Sequence, residues 1–372
     1  MIKWCKKCIL PNTRPNLIID INGVCNICNF HQEKKIKTNW EKKEKELKNI
    51  FDKIKKISKN NFDCIIPVSG GKDSVWQVYQ CLKYGLTPLA ITYKSPGRNI
   101  YGDYNLKGLI NLGVDHIDYT INPKVESYFM LKTFKEKGST AIPMHLSIFN
   151  LPIILAKKLN IPLIVYGENP ASEYGFGEKK FKKNINKVDK IWIKKYASLN
   201  NTDSNYWKDS FLENKKMFSY DLKIFPKNLK ILFLGEYLKW NPQNSLKYLK
   251  KIKFIRPPKP KTGYYNFADI DCDFISIHHY LKWYKFGFTR LFDNLSIEIR
   301  NKKLTRGKAL RIIKNSFNDI KPKNDIKKFC KFVNISVKEF DQITEKFRNR
   351  LIWKKTDKKW KINNFIVKDF NW

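Results

Sequence analysis

Pro67-Val68-Ser69-Gly70-Gly71-Lys72-Asp73-Ser74 is the stretch from which the rest of the chain can be read. An apolar, partly β-branched run, Phe62 to Val68, leads into it. Val75, Val78, Tyr79 and Leu82 follow at helical spacing, so the order is strand, glycine turn, helix. Ser69, Gly70 and Gly71 let the backbone turn tightly and bring its N–H groups to an anion. The helix opened by Ser74 adds the positive end of its dipole. Together they form a phosphate cradle. A Walker A loop is excluded, because GxxxxGK[ST] needs glycine at Ile66 and Ser or Thr at Asp73. Asp73 beside the phosphates points instead to Mg²⁺ held between carboxylate and pyrophosphate. A glycine turn that binds nothing is the bland alternative.

With 372 residues, 42% of them apolar, the chain can fill one large domain with attachments, or two domains. It has no run of about eighteen apolar residues. Met1-Ile2-Lys3-Trp4-Cys5 lacks the apolar stretch of a signal peptide, so a cytoplasmic protein without membrane insertion is expected. The formal charge of +39 would ordinarily suggest nucleic acid. The excess is nearly all lysine, spread along the chain and accompanied by abundant Asn, Ile, Phe and Tyr, the pattern of an AT-rich genome. A nucleic-acid arm is usually a block of charge, so no nucleic-acid partner is expected, although an RNA-binding face stays open.

Cys5-Lys6-Lys7-Cys8 and Cys25-Asn26-Ile27-Cys28 are sixteen residues apart, within the spacing of a four-thiolate zinc site. Leu17 to Asp20 reads as a short strand and Asn22-Gly23 as a hairpin turn that folds the second pair onto the first. This is a zinc ribbon over residues 1–30. A closed Cys₄ site has no open coordination position, so its role is structural or docking. An iron–sulfur cluster is the alternative. Cys64, Cys81, Cys272 and Cys330 have no framework spacing, which argues for metal and against disulfides.

Residues 31–60, with Leu47, Ile50, Ile54 and Ile57 at helical spacing, read as a linker helix with a solvated face. Strands then alternate with helices: Phe62 to Val68, Pro88 to Tyr93, Val114 to Ile121, Pro162 to Tyr166 and Lys230 to Leu234. Helices are expected over Leu106 to Leu112, Ser127 to Lys137 and Met144 to Lys158. This alternation signals a parallel α/β sheet with helices on both faces, spanning 61–255. Ligands sit beyond the carboxyl ends of such strands. Ser69 to Ser74, Thr92 to Lys94 and Gly167-Glu168-Asn169 are therefore the candidates. Gly167 allows close backbone approach, Glu168 offers an acid or metal ligand, and Asn169 offers an amide. A helix-capping carboxylate is the other reading of Glu168. Lysine-rich residues 179–220 read as an insertion with short helices.

Arg256-Pro257-Pro258-Lys259-Pro260 opens a mostly helical region, 256–372. Asp269, Asp271 and Asp273 alternate as at the start of a calcium loop, but its glycine and terminal glutamate are missing, so that reading is rejected. His278 and His279 point about 100° apart on a helix and are not expected to share a metal. Ser336 and Glu339 form a capping box before Phe340, Ile343 and Phe347.

SGGKDS after an apolar strand resembles the PP-loop ATP pyrophosphatases, which cleave ATP between the α and β phosphates and activate a carbonyl-type oxygen as an adenylate. By that resemblance the end of the second strand lines the adenine pocket, with Ile91 and Tyr93 as contacts; ordinary strand core is the other reading of Tyr93. Several further motifs together resemble the N-acetyl sugar amidotransferases of surface-polysaccharide and pseudaminic-acid-type flagellin glycan synthesis. They are Thr13-Arg14-Pro15, Ile142-Pro143-Met144-His145, Tyr166 to Asn169, Asp269 to Arg290 and Phe347-Arg348-Asn349. The implied reaction turns an acetamido sugar into an acetamidino sugar with ATP, Mg²⁺ and ammonia. Lys72 and Asp73 would act on pyrophosphate, and Glu168 or His145 would take a proton from ammonia. Asp271, His278, Arg290, Glu168 and Asn169 would meet the sugar. Position 2 is Ile, not an N-terminal cysteine nucleophile, so a separate glutaminase subunit is expected. The rivals are a tRNA thiolase, which also joins CxxC pairs to a PP-loop, and a non-enzymatic zinc-ribbon adaptor.

Overall fold

The computed structural model describes residues 2–59, 61–175, 186, 188–197, 202–213, 215–222, 225–316, 321–356 and 359–372. In chain order the first elements are α1 (Asn26–Lys37), α2 (Trp40–Ile57), β1 (Cys64–Pro67), α3 (Lys72–Lys83), β2 (Pro88–Tyr93), α4 (Ile100–Ile110) and β3 (Asp115–Tyr119). They are followed by α5 (Pro123–Lys137), α6 (Ile142–Lys158), β4 (Leu163–Tyr166), α7 (Pro170–Tyr174), α8 (Lys190–Trp192), α9 (Ser204–Trp207), β5 (Lys230–Phe233) and α10 (Pro242–Leu249). The remainder is α11 (Phe274–Phe286), α12 (Arg290–Arg300), α13 (Arg306–Asn315), α14 (Lys323–Val333), α15 (Val337–Lys346) and a hairpin, β6 (Trp353–Thr356) with β7 (Lys359–Ile362).

The expected α/β fold is present. Five strands run in the order β3-β2-β1-β4-β5, every neighbour parallel. Alternate residues serve opposite faces. Cys64, Ile66, Ala90, Val165 and Leu232 pack under α2, α3, α4 and α10, while Ile65, Leu89, Ile91, Ile164 and Phe233 pack under α6 and α8. Burial on both faces is why these strands read as near-continuous apolar runs. After β3 the chain crosses to the other side of β1, so the switch point lies between β1 and β4, where a ligand crevice opens at the carboxyl ends.

Three local expectations are corrected. The linker helix is two helices: α1 starts inside the second CxxC pair, and the chain breaks before Asn39, whose side chain accepts from Lys42 N to cap α2. Leu17 to Asp20 is reduced to a single bridge, Ile19 with Cys25; the turn forms nonetheless, with Gly23 at φ 78°. Such a short segment leans on its thiol cluster more than on a ladder. The C-terminal hairpin was hidden by lysines on its exposed face. In the capping box Ser336 Oγ accepts from Glu339 N, but the Glu339 carboxylate pairs with Lys135 at 3.0 Å. The expected insertion falls partly outside the described residues; its described part carries α8 and α9.

Among the described residues no helix is long and apolar enough to cross a membrane.

Candidate active site

Val68 N donates to Ile91 O at 2.9 Å, which carries β1 pairing up to the turn. Gly70 then takes φ 84°, and a Cβ there would lie 2.9 Å from both the Gly102 carbonyl oxygen and Leu106 N, so only glycine lets the loop rest on α4. Ser69 N donates to Ser74 Oγ at 3.0 Å, and Gly71 N donates to Ser69 Oγ at 3.3 Å. Helix α3 begins at Lys72 and not at Ser74, with Gly71 as an N-cap that has no side chain to offer. The helix end thus keeps its positive dipole for a ligand anion.

Lys72 is buried and its ammonium pairs with Asp73. Trp240, unremarked in the sequence, donates from Nε1 to Asp73 Oδ1 at 3.0 Å and holds Lys72 Nζ 5.3 Å from its ring centre. Its only clue was its place shortly after the fifth strand.

The crossover brings Gly167-Glu168-Asn169 beside this loop. Burial, and then the negative charge of Asp73, push the Glu168 carboxyl up to about 8. Tyr174 donates its hydroxyl to Glu168 Oε1 at 3.4 Å, and Arg290 lies 5.3 Å over the Tyr174 ring while pairing with Asp269 at 2.8 Å. Asn169 is turned to local structure: its Oδ1 accepts from Ala171 N at 3.0 Å to cap α7, and its Nδ2 donates to Asn186 at 2.7 Å.

Asp271 lies beside the Ser69 side chain, which favours its charged form, but burial outweighs this and raises its carboxyl above the ordinary range. Its two acidic neighbours diverge from it. Asp269 goes to Arg290, and Asp273 goes to Lys261, Lys328 and Asn99. His145 and His278 stack edge to face at 5.8 Å, and His279 Nδ1 lies 3.2 Å from Thr262 Oγ1. Burial, aided by Lys282, holds His278 and His279 well below the usual histidine range. Ile91 is buried in the face under α6, and the Tyr93 hydroxyl donates to Glu126 on α5, so both side chains face the interior.

The four thiols of Cys5, Cys8, Cys25 and Cys28 lie within 4.8 Å of one another and are buried. Cys8 and Cys25 Sγ are 3.7 Å apart. That matches the edge of about 3.8 Å that a Zn–S bond of about 2.3 Å gives a tetrahedron. Backbone N–H groups of Cys8 and Cys25 donate to Cys5 Sγ at 3.4 and 3.3 Å, the bonds that stabilise thiolates. The donor set fits one soft metal ion, and its closure gives it no reactive position. The cluster is packed on Phe288, Phe292 and Leu295 of the C-terminal part.

Residues 261–366 match a family model described as the C-terminal domain of WbpG-like lipopolysaccharide-biosynthesis proteins. No curated protein matches the chain. Among solved structures, an NMN synthetase from Francisella tularensis is 11% identical with a TM-score of 0.37, covering 80% of this chain and 94% of its own. An NH3-dependent NAD synthetase from Campylobacter jejuni subsp. jejuni is 14% identical with a TM-score of 0.30, covering 51% of this chain and 100% of its own. A predicted tRNA methyltransferase subunit from Methanocaldococcus jannaschii is 17% identical with a TM-score of 0.28, covering 50% and 75%.

Proposed function

We propose that the chain is an ATP-dependent, AMP-forming enzyme of surface-glycan synthesis that converts an N-acetyl sugar into its acetamidino counterpart. One observation carries this reading. The region that resembles a lipopolysaccharide-biosynthesis domain supplies Asp271 to the Ser69 side chain and Arg290 to the Tyr174 ring beside Glu168. The proximity of the phosphate cradle to this segment supports a single shared site.

The chemistry follows from the groups present. An amide oxygen is a poor leaving group until it attacks the α-phosphate of ATP, expelling pyrophosphate and forming an AMP ester. Ammonia then adds to the imidate carbon, and AMP departs with the oxygen. Lys72 and the N–H groups at the start of α3 stabilise charge on pyrophosphate, and Asp73 is the carboxylate that would hold Mg²⁺. Glu168, with its raised affinity for protons, accepts one from the attacking ammonia. The cysteines outside the metal cluster are buried, so none is offered as a glutaminase nucleophile, and a separate glutaminase would supply ammonia.

A tRNA thiolase would need a reactive thiol at the nucleotide site. Burial holds the Cys64 thiol well above its ordinary range, and Cys272, the cysteine next to Asp271, is pushed up to about 11. Pyrophosphate release is the test, measured with ATP, ammonium and either nucleotide-linked acetamido sugars or tRNA. Release with the sugars is expected, release with tRNA alone would overturn the reading, and no ATP use under any condition would favour a non-enzymatic adaptor. Glutamine-dependent turnover by the purified chain would overturn the separate glutaminase.

A further inference from the structure

The metal module does more than cap the chain end. Residues 13–16, between the two CxxC pairs, run against α7, α11 and α12. Thr13 Oγ1 donates to Phe286 O at 2.6 Å, and Arg14 Nε pairs with the fully buried Asp293 at 2.9 Å. Arg14 Nη1 donates to the Tyr174 carbonyl, and its guanidinium lies 5.5 Å over the Tyr174 ring, which Arg290 also approaches at 5.3 Å. The next contact is equally close: a Cβ on Gly175 would sit 2.8 Å from the Asn16 carbonyl oxygen. That carbonyl also accepts from Asn26 Nδ2 at 3.1 Å, one residue after the metal-ligating Cys25. Tyr174 in turn donates to Glu168. None of these contacts reaches the phosphate loop.

We propose that Arg14 is a positioning residue for Tyr174 and Glu168, and that the four-cysteine module, by holding Arg14, couples metal occupancy to the substrate side of the site while leaving nucleotide binding independent. The substrate role of Glu168 and Tyr174 rests on the function proposed above. The coupling itself does not.

The experiment compares hydrogen–deuterium exchange over residues 168–175 in the metal-loaded chain, after chelation, and in Arg14→Ala and Arg14→Lys. Chelation and Arg14→Ala each raise exchange there by about ten-fold or more, while the dissociation constant for ATP stays within about two-fold. Arg14→Ala keeps one metal per chain. With an acetamido sugar and ammonium it raises the KM for sugar by about ten-fold and leaves the KM for ATP unchanged, and Arg14→Lys, which retains the charge but not the fork, recovers part of the loss. Unchanged exchange at 168–175 after chelation overturns the proposal, as does an ATP affinity that falls in parallel. If no acetamido sugar turns over, the function reading fails while the exchange measurement still decides the coupling. If Arg14→Ala does not fold, chelation and Arg14→Lys decide it.

Discussion

The Trp240 indole donates to Asp73 Oδ1 at 3.0 Å and places its ring 5.3 Å from the Lys72 ammonium. A residue beyond β5 therefore fixes both charged groups of the phosphate loop. Trp240→Phe retains a ring for Lys72 but loses the donor to Asp73, and a charge-assisted bond of this kind contributes about 1.5–3 kcal/mol. The KM for Mg-ATP should rise by about ten-fold or more with the fold intact. An unchanged KM would contradict the role given to Trp240.

Lys72→Ala removes a buried cation from the start of α3 without touching the cysteine cluster. Pyrophosphate release should be abolished and the metal content should stay at one per chain, measured by elemental analysis. Retained turnover would refute the assignment of the loop.

Gly70→Ala tests the loop backbone. The position combines φ 84° with a 2.9 Å approach to Gly102 O and Leu106 N, and an added Cβ strains the turn and lifts it off α4. Nucleotide binding by calorimetry should be lost while metal content and circular dichroism match the parent. Normal ATP affinity would show that the loop tolerates another course.

The main elements were legible because the physics behind them is local. Apolar runs alternating with amphipathic stretches located all five strands to within about two residues, and the thiol spacing located the cluster. Long-range geometry was hidden. Nothing adjacent in sequence tells that Trp240 meets Asp73, that Arg14 meets Asp293, or that Arg14 and Arg290 both approach the Tyr174 ring. Asn169 shows the converse limit, since a strand-end amide that looked free for a ligand also has the chemistry of an N-cap, and here its side chain caps α7.

Glu126 gives a pH signature. Burial raises its carboxyl from an ordinary 4.5 to about 8, and it accepts the Tyr93 hydroxyl. Between those values the folded chain holds a proton that the unfolded chain has lost, so the Glu126 contribution to stability falls as pH rises through that window, by at most about 1.4 kcal/mol per unit. It is flat below the unfolded value and above the folded one. Glu126→Gln should gain in urea midpoint relative to the parent from pH 5 to pH 8. Parallel curves would contradict a buried neutral carboxyl at this position.

The proposed reaction activates an acetamido oxygen as an AMP ester at the Ser69–Ser74 loop. An acetamido sugar labelled with ¹⁸O at its carbonyl, incubated with ATP, Mg²⁺ and ammonium, tests this by mass analysis of the nucleotide product. The label should leave the sugar and appear in AMP. Label kept in the sugar, or found in phosphate with ADP as the nucleotide, would contradict it.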